Sequence, residues 1–345
     1  MTAATKSGRA GRGRKARADA YGLKDKGPQK FFSSGSTGLD CVNNGGWAVG
    51  RVINIVGDRS TGKTLLAIEA SANFKLQYPD GEVHYIESEE AFDIPYAQSL
   101  GLPLDDIVFP NKDGLEVSTL EEFNDYMAAL IAKRGKKRRP TLVVLDSLDA
   151  LSDSAELERK ITDASYGGTK PKQLSAFFRR NNQLMAKLGI TLIIVSQLRD
   201  KLGVMFGDKH TRTGGRALDF FASQVVWLSQ LKQLQQQRIG VKRVYGILVR
   251  AKNKKNKCGP PFREFDFPVL FNFGIEDVQS MLNYILERKA WKRCKMTEKE
   301  LRSLVAKSQD LSQERWNNLR RKAAHLVRKL WQEVEREFAP TLKKY

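Results

Sequence analysis

Residues 57–64, GDRSTGKT, constrain this chain more than any other segment. They satisfy the pattern G-x-x-x-x-G-K-S/T in full, in the one context where that pattern has physical meaning, after a strand and before a helix. Residues 51–56, RVINIV, read as a buried strand, and residues 64–77 read as a helix. Gly57 and Gly62 let the backbone curl, so that Asp58, Arg59, Ser60 and Thr61 can turn N–H groups toward an anion at the helix N-terminus. Lys63 is expected to reach the β- and γ-phosphates of a nucleotide, and the Thr64 hydroxyl to ligate Mg²⁺.

Downstream, short apolar runs alternate with helical spacing. Residues 82–87, EVHYIE, read as a strand with carboxylates at its C-terminal edge. Residues 141–145, TLVVL, read as a strand ending in Asp146, and residues 191–195, TLIIV, as one ending at Ser196 and Gln197. Leu120, Phe123, Met127, Leu130 and Ile131 mark a helix over 120–133, and 174–188 read as another. This alternation predicts an α/β fold with a mainly parallel sheet, whose ligands sit beyond the C-terminal strand ends. After about residue 220 further strands and hairpins are expected, and the Gln-rich stretch 230–237 reads as a surface turn or helix end. From about 276 the chain turns helical and basic. Thr297 and Glu300 form a capping-box pair. Trp316, Leu319, Ala323, Leu326, Leu330, Val334 and Phe338 form an apolar stripe at helical spacing. The expected organisation is a flexible basic N-terminal arm over 1–32 that serves polymerisation, a core over 33–275, and a small basic helical C-terminal domain over 276–345 that binds duplex DNA.

The charge is uneven. The chain has 345 residues and a formal net charge of +20. Residues 1–30 contribute +7 and residues 288–345 contribute +10, so the body between them is almost neutral. Basic ends attract a polyanion, and that attraction weakens with salt. The plainer reading is a like-charged surface with no partner. No apolar run approaches the roughly 18 residues needed to span a bilayer. No apolar block follows the basic N-terminus as in a secretory signal, so no membrane partner is expected. Cys41, Cys258 and Cys294 lie far apart and form no local metal pattern, which points to a reducing, cytoplasmic setting.

Three strand ends supply candidate chemistry. Asp146 reads as the carboxylate behind Mg²⁺; its plain alternative is a strand-end turn residue. Water activation needs a base nearby, and Glu87, Glu89 and Glu90 all qualify. Glu87 and Glu89 share a strand face and Glu90 takes the other. Gln197 is neutral and can bond a γ-phosphate; its plain role is a surface amide.

These blocks, taken in order, resemble the RecA-type homologous recombinases, in particular a bacteriophage, UvsX-like version. The resemblance runs from about residue 33 to residue 274 through SSGSTGLD, GDRSTGKT, ESEEAFDIPYA, VVLDSLDAL, SQLRDKLGVMFG, TRTGGRALDFFAS and the KNK before PPF. It implies a RecA-like ATPase core that uses ATP and Mg²⁺. It assigns Glu89 to water activation, Tyr96 to stacking on adenine with Asp93 near the base, and Gln197 to sensing the γ-phosphate at the head of a DNA-binding loop over about 199–213. That loop holds Arg199, the apolar cluster Val204, Met205 and Phe206, and Arg212; Gly214, Gly215 and Arg216 follow. Apolar side chains on a glycine-flanked loop make sense if they insert between bases. A second DNA-facing loop is implied over 156–172, with Lys172 and Arg179 as phosphate contacts. Lys252 and Lys254 match paired lysines that reach the nucleotide of the adjacent subunit.

The implied activity is a helical filament on single-stranded DNA that pairs with homologous duplex DNA and exchanges strands, with ATP hydrolysed between subunits. Single-strand-binding or loading proteins are further implied partners. A RecA-fold hexameric helicase or motor, and a non-catalytic ATP-binding mediator, are the alternatives. Two positions depart from the family pattern. Asp219 stands where a basic residue is common, and the chain ends basic, at Lys343 and Lys344, where an acidic tail is common.

Overall fold

Two hydrophobic cores lie on the two faces of one sheet, and the two-residue period of its strands fills both. The computed structural model describes residues 28–90, 92–110, 117–134, 139–154, 169–200 and 210–342, apart from the side chains of residues 169, 199, 200, 210, 211 and 216. Most of the expected N-terminal arm, most of the loop at 156–172, and Val204, Met205 and Phe206 therefore lie outside the described residues.

The first half runs β1 (Phe31–Phe32), α1 (Thr37–Val42), β2 (Trp47–Ala48), β3 (Val52–Gly57), α2 (Lys63–Gln77), β4 (Glu82–Glu87), α3 (Ile94–Ser99), β5 (Ile107–Val108), α4 (Leu120–Lys133) and β6 (Thr141–Asp146). The second runs α5 (Thr169–Leu188), β7 (Ile190–Asp200), β8 (His210–Arg212), α6 (Gly215–Phe221), β9 (Gln224–Arg238), β10 (Val241–Asn256), β11 (Glu264–Leu270) and β12 (Gly274–Ile275). It closes with α7 (Asp277–Glu287), α8 (Glu298–Ala306) and α9 (Gln313–Glu337).

Strand order in the main sheet is β12-β11-β10-β9-β3-β7-β6-β4-β5, with β8 added beside β7. From β9 to β5 every pairing is parallel. From β9 to β12 every pairing is antiparallel. This is the α/β class expected, with a mainly parallel centre. In β3, Ile53 and Ile55 face one core and Val52 and Val56 the other. β6 divides Leu142 and Val144 from Val143 and Leu145, and β7 divides Ile193 and Val195 from Leu192 and Ile194. Helix α2 covers the first face through Leu66, Ile68 and Phe74; α4 and α5 cover the second through Phe123, Met127 and Phe178. Burial on both faces is why these strands read as unbroken apolar runs. Each such side chain, fully buried, contributes about 1.5–3 kcal/mol.

The register of this sheet builds the site. Gly57 sits opposite Gln197, and Glu87 opposite Asp146, so the polar strand ends line up along one edge.

The Gln-rich stretch is neither a turn nor a helix end. Residues 230–237 lie inside β9, paired with β10 from Gln224↔Asn256 to Arg238↔Val241, and the turn is at Ile239 and Gly240. A two-stranded arm exposed on both faces carries no apolar alternation. Its backbone ladder with β10 fixes the strand.

The C-terminal helices share the first core. Ala323, Ala324, Val327 and Leu330 of α9 are buried, joined by Val278, Met281 and Ile285 of α7 and Leu301 of α8. The expected stripe faces the core: Ala323 and Leu330 are buried, Trp316, Leu319 and Leu326 pack half buried against it, Ala324 and Val327 join them, and only at Phe338, 81% exposed, does the stripe leave the core. Ion pairs border this contact. Arg263 forks onto Glu335 at 2.8 and 2.6 Å, and Asp277 accepts from the Thr37 N–H at 2.7 Å and from Arg320 Nε at 3.3 Å. The capping box at Thr297 and Glu300 forms as read, with both reciprocal bonds.

Candidate functional site

The turn at 57–62 has the shape its glycines were expected to allow. Gly62 takes φ +83°, the left-handed conformation that glycine adopts without steric cost. A Cβ on Gly57 would stand 2.5 Å from Thr61 Oγ1 and 3.0 Å from Leu228 O, so only glycine fits between the turn and β9. Thr61 Oγ1 donates to Asp58 O at 2.9 Å, and Arg59 N–H to Asp58 Oδ1 at 2.7 Å, which holds the turn closed on itself. Ser60 also takes a positive φ, 57°. Lys63 and Thr64 open α2, placing both at the positive end of a fifteen-residue helix dipole.

Around Lys63 stand four carboxylates. Its ammonium donates to Asp58 O at 2.7 Å. Burial lowers its pKa, and Glu89, Asp146, Asp58 and Asp149 pull it back up. Asp146 is buried at the end of β6 and accepts from Tyr85 OH at 2.8 Å and from the Thr64 hydroxyl. Its pKa is raised to about 6, first by burial, with Glu89 and Glu87 adding to the rise and the Tyr85 and Thr64 bonds opposing it. Four carboxylates around one ammonium leave a surplus of negative charge that a divalent cation would offset. Among the described residues no three His, Cys, Asp or Glu side chains converge as a metal cage. Mg²⁺ needs none: it is held by one or two protein oxygens plus phosphate oxygens and water. The hydrogen-bonded Thr64 hydroxyl and Asp146 carboxylate fit that donor set.

Glu89 is joined to the neighbouring strand ends. Glu89 Oε1 accepts from Ser147 Oγ and from Gln197 Nε2 at 3.3 Å. Glu87 instead turns back to accept the Glu89 N–H at 2.9 Å, and Glu90 is exposed with φ +54°. Asp149, which the sequence reading left unassigned, completes the cluster. It accepts the Gln197 backbone N–H at 2.7 Å through Oδ2 and the Thr213 hydroxyl through Oδ1. Gln197 and Thr213 are the two stems of the 199–213 segment. β7 and β8 close that segment antiparallel through Leu198↔Arg212 and Asp200↔His210. The signal for Asp149 lay in its place three residues after Asp146, but nothing in the sequence says that Gln197 and Thr213 face it.

The remaining expected residues divide. Tyr96 lies half buried on α3, its pKa pushed up to about 12, first by burial and then by Glu69. Asp93 is the N-cap of that helix and accepts the Tyr96 N–H at 2.9 Å. Lys172 and Arg179 are exposed two turns apart on α5. Gly214 caps α6 at φ +84°, and Gly215 follows at +41°. Arg212 does not present a free cation: its side chain is 6% exposed and pairs with Asp219 at 2.6 Å. The departure at Asp219 is thereby balanced within the chain. The side chains of Arg199 and Arg216 lie outside the described residues.

The chain holds two K-N-K triplets, 252–254 and 255–257, and they behave differently. Lys252 pairs with Glu264 at 3.2 Å, and Lys254 sits 4.8 Å over the Trp227 ring. Lys255 and Lys257 both donate to Phe220 O at 3.0 Å, and Lys255 also to Asp219 O, at the C-terminal end of α6. Burial, then Lys257, brings the Lys255 pKa down to about 8.

A glycine turn closing onto a helix at the centre of a mainly parallel sheet, with acidic and amide side chains on the adjoining strand ends, defines a phosphate-loop α/β protein with a RecA-like core. The chain belongs to the RecA family: the RecA N-terminal domain family matches residues 16–276. It is similar to Protein RecA of Streptomyces ambofaciens, 35% identical over 255 residues, which cover 74% of this chain and 64% of that one. Protein RecA of a Nitratiruptor species is 32% identical over 265 residues, covering 76% of this chain and 72% of its own length. Protein RecA of Gloeobacter violaceus is 35% identical over 264 residues, covering 75% and 67%. The chain therefore spans less than two thirds of the length of the Streptomyces relative. No described helix is long and apolar enough to cross a membrane.

Proposed function

We propose that this protein is an ATP-dependent DNA recombinase that assembles on single-stranded DNA and promotes homologous pairing and strand exchange. One observation carries the reading. Glu89, Gln197, Asp149 and Thr213 form a continuous hydrogen-bonded path from the carboxylates around Lys63 to both stems of the 199–213 segment. A rearrangement at the phosphate end is thereby felt at a loop that carries Val204, Met205 and Phe206.

The residues divide the work. Backbone N–H groups of the 57–62 turn and the α2 N-terminus hold the phosphates, and Lys63 neutralises the terminal one. Thr64 and Asp146 would hold Mg²⁺, which would neutralise phosphate charge there. Glu89 orients and deprotonates the attacking water, with Ser147 and Gln197 fixing its carboxylate. Gln197 exchanges its bond to Glu89 for one to the terminal phosphate, and the loop stem follows. Lys172 and Arg179 meet the DNA backbone, and sequence is read by base pairing. The carbonyl-bound Lys255 and Lys257 are better placed as a pair than Lys252 and Lys254 to reach a neighbouring subunit's phosphates, because Lys252 is neutralised by Glu264 and Lys254 lies over the Trp227 ring.

The test is strand exchange with homologous and heterologous duplexes, with and without hydrolysable ATP. Exchange limited to homologous duplex and dependent on ATP is expected. Lys63→Ala should abolish ATP-dependent assembly seen by electron microscopy on single-stranded DNA. Assembly of that variant at wild-type levels refutes the phosphate assignment, and closed rings in place of helices favour a hexameric motor.

A further inference from the structure

Helix α9 carries a line of side chains at the margin of the core, its apolar members packed against that core yet only half buried. Arg315, Leu319, Lys322, Leu326 and Lys329 are spaced four, three, four and three residues apart, so they run along one side of the helix. The line spans fourteen residue steps, about 21 Å at 1.5 Å per residue. It forms one wall of a cavity of about 870 Å³ between α7, α8 and α9. The lining is apolar, with Leu282, Ile285, Leu301 and Met296 beneath and Leu304 on α8. Leu319, Leu326, Leu304 and Met296 are only half buried, so the surface they form is finished by no part of the described chain.

The rim is cationic. Glu333 is the one carboxylate on it, and Arg293 occupies that group at 2.8 Å. Among the described residues no ion pair engages Lys295, Arg315, Lys322 or Lys329. Cationic and apolar positions thus alternate along a concave surface at helical spacing. We propose that this groove docks an acidic amphipathic helix of a partner protein, about four turns long, with carboxylates facing Arg315, Lys322 and Lys329 and apolar side chains entering the cavity. A nucleic-acid backbone would answer the rim but leave the apolar lining in water. A flat anionic bilayer cannot enter a concavity. The proposal does not depend on the nucleotide site.

The test is fluorescence anisotropy on the full chain at fixed salt with three labelled probes. The first is a peptide of about 18 residues with Glu facing the cations and Leu facing the cavity. The second has every Leu replaced by Ser, and the third is a duplex oligonucleotide of similar length. The Leu peptide should bind about tenfold or more tighter than the Ser peptide, since only it buries the apolar lining. Lys322→Glu with Lys329→Glu should weaken it about tenfold with the melting temperature unchanged, because both side chains are exposed. Leu326→Ser should weaken the Leu peptide and leave duplex binding as it was. Equal affinity for the two peptides, indifference to both variants, or binding of the duplex alone overturns the proposal. So does a dimer of the free chain that these variants dissolve, which would give the groove to a second copy.

Discussion

Glu89 and Asp149 are both acceptors beside Lys63, and their hydrogen bonds give them different tasks. Glu89 Oε1 is held by Ser147 and Gln197, which fixes its carboxylate. Glu89→Gln keeps the size and removes the proposed base. ATP binding should persist while turnover falls about 100-fold or more, the range of a lost general base. Steady-state hydrolysis alongside nucleotide titration checks this, and turnover at the wild-type rate reassigns the base. Asp149 touches the two loop stems instead, through Gln197 N–H and Thr213 Oγ1. Asp149→Asn leaves one acceptor oxygen where two charged ones stood. Basal turnover should change little, whereas stimulation by single-stranded DNA should drop about tenfold, the coupling energy of one charged hydrogen bond. Stimulation equal to wild type would show that the stems need no such tie. Glu89 was legible among three candidates only through resemblance; the contacts with Ser147 and Gln197 now distinguish it geometrically.

At the scale of elements, β10 ends in two lysine pairs whose surroundings differ. Lys252 is charge-paired with Glu264, and Lys254 lies over Trp227. Lys255 and Lys257 donate to carbonyls at the end of α6, where cations also favour the helix dipole. Lys255→Ala with Lys257→Ala should lower DNA-stimulated turnover about tenfold or more, and Lys252→Ala with Lys254→Ala should lower it less. The reverse ranking, in parallel assays, restores the assignment taken from sequence. Which triplet matters was not legible, because both read K-N-K and only the bulge between Asn253 and Lys255 turns the second pair toward α6. The β9–β10 arm was missed for a related reason. Apolar period identifies elements that face a core, and this arm faces none beyond its base.

Across the whole molecule, the phosphate helix is tied through one buried acid to β12, the strand that leads into the C-terminal helices. Glu69 of α2 accepts the Ile275 N–H at 2.8 Å, and burial raises its pKa to about 8. An unfolded glutamate titrates near 4.5. Between those values the folded chain holds a proton that the unfolded chain has released, so stability falls as pH rises through the window. Glu69→Gln is neutral throughout and keeps an acceptor for Ile275. It should remove this slope and stabilise the chain at pH 8.5 by on the order of 2 kcal/mol relative to wild type, with little difference at pH 4.5. Thermal unfolding at both values checks it, and a parallel offset at the two would mean that Glu69 is already charged in the fold.

The sequence by itself determined the phosphate turn, the order along the chain of the central strands and helices, and the family, because each rests on local patterns: a full motif, an apolar run, a helical period. Tertiary structure alone decided which glutamate meets Gln197, that Arg212 is spent on Asp219, and that Asp149 ties both stems of the loop. Apart from the Arg212–Asp219 pair, seven positions apart, those facts depend on strand register and on residues tens of positions or more apart in the chain. Sequence spacing fixes the face a side chain takes on its own element, but not the element that will stand opposite.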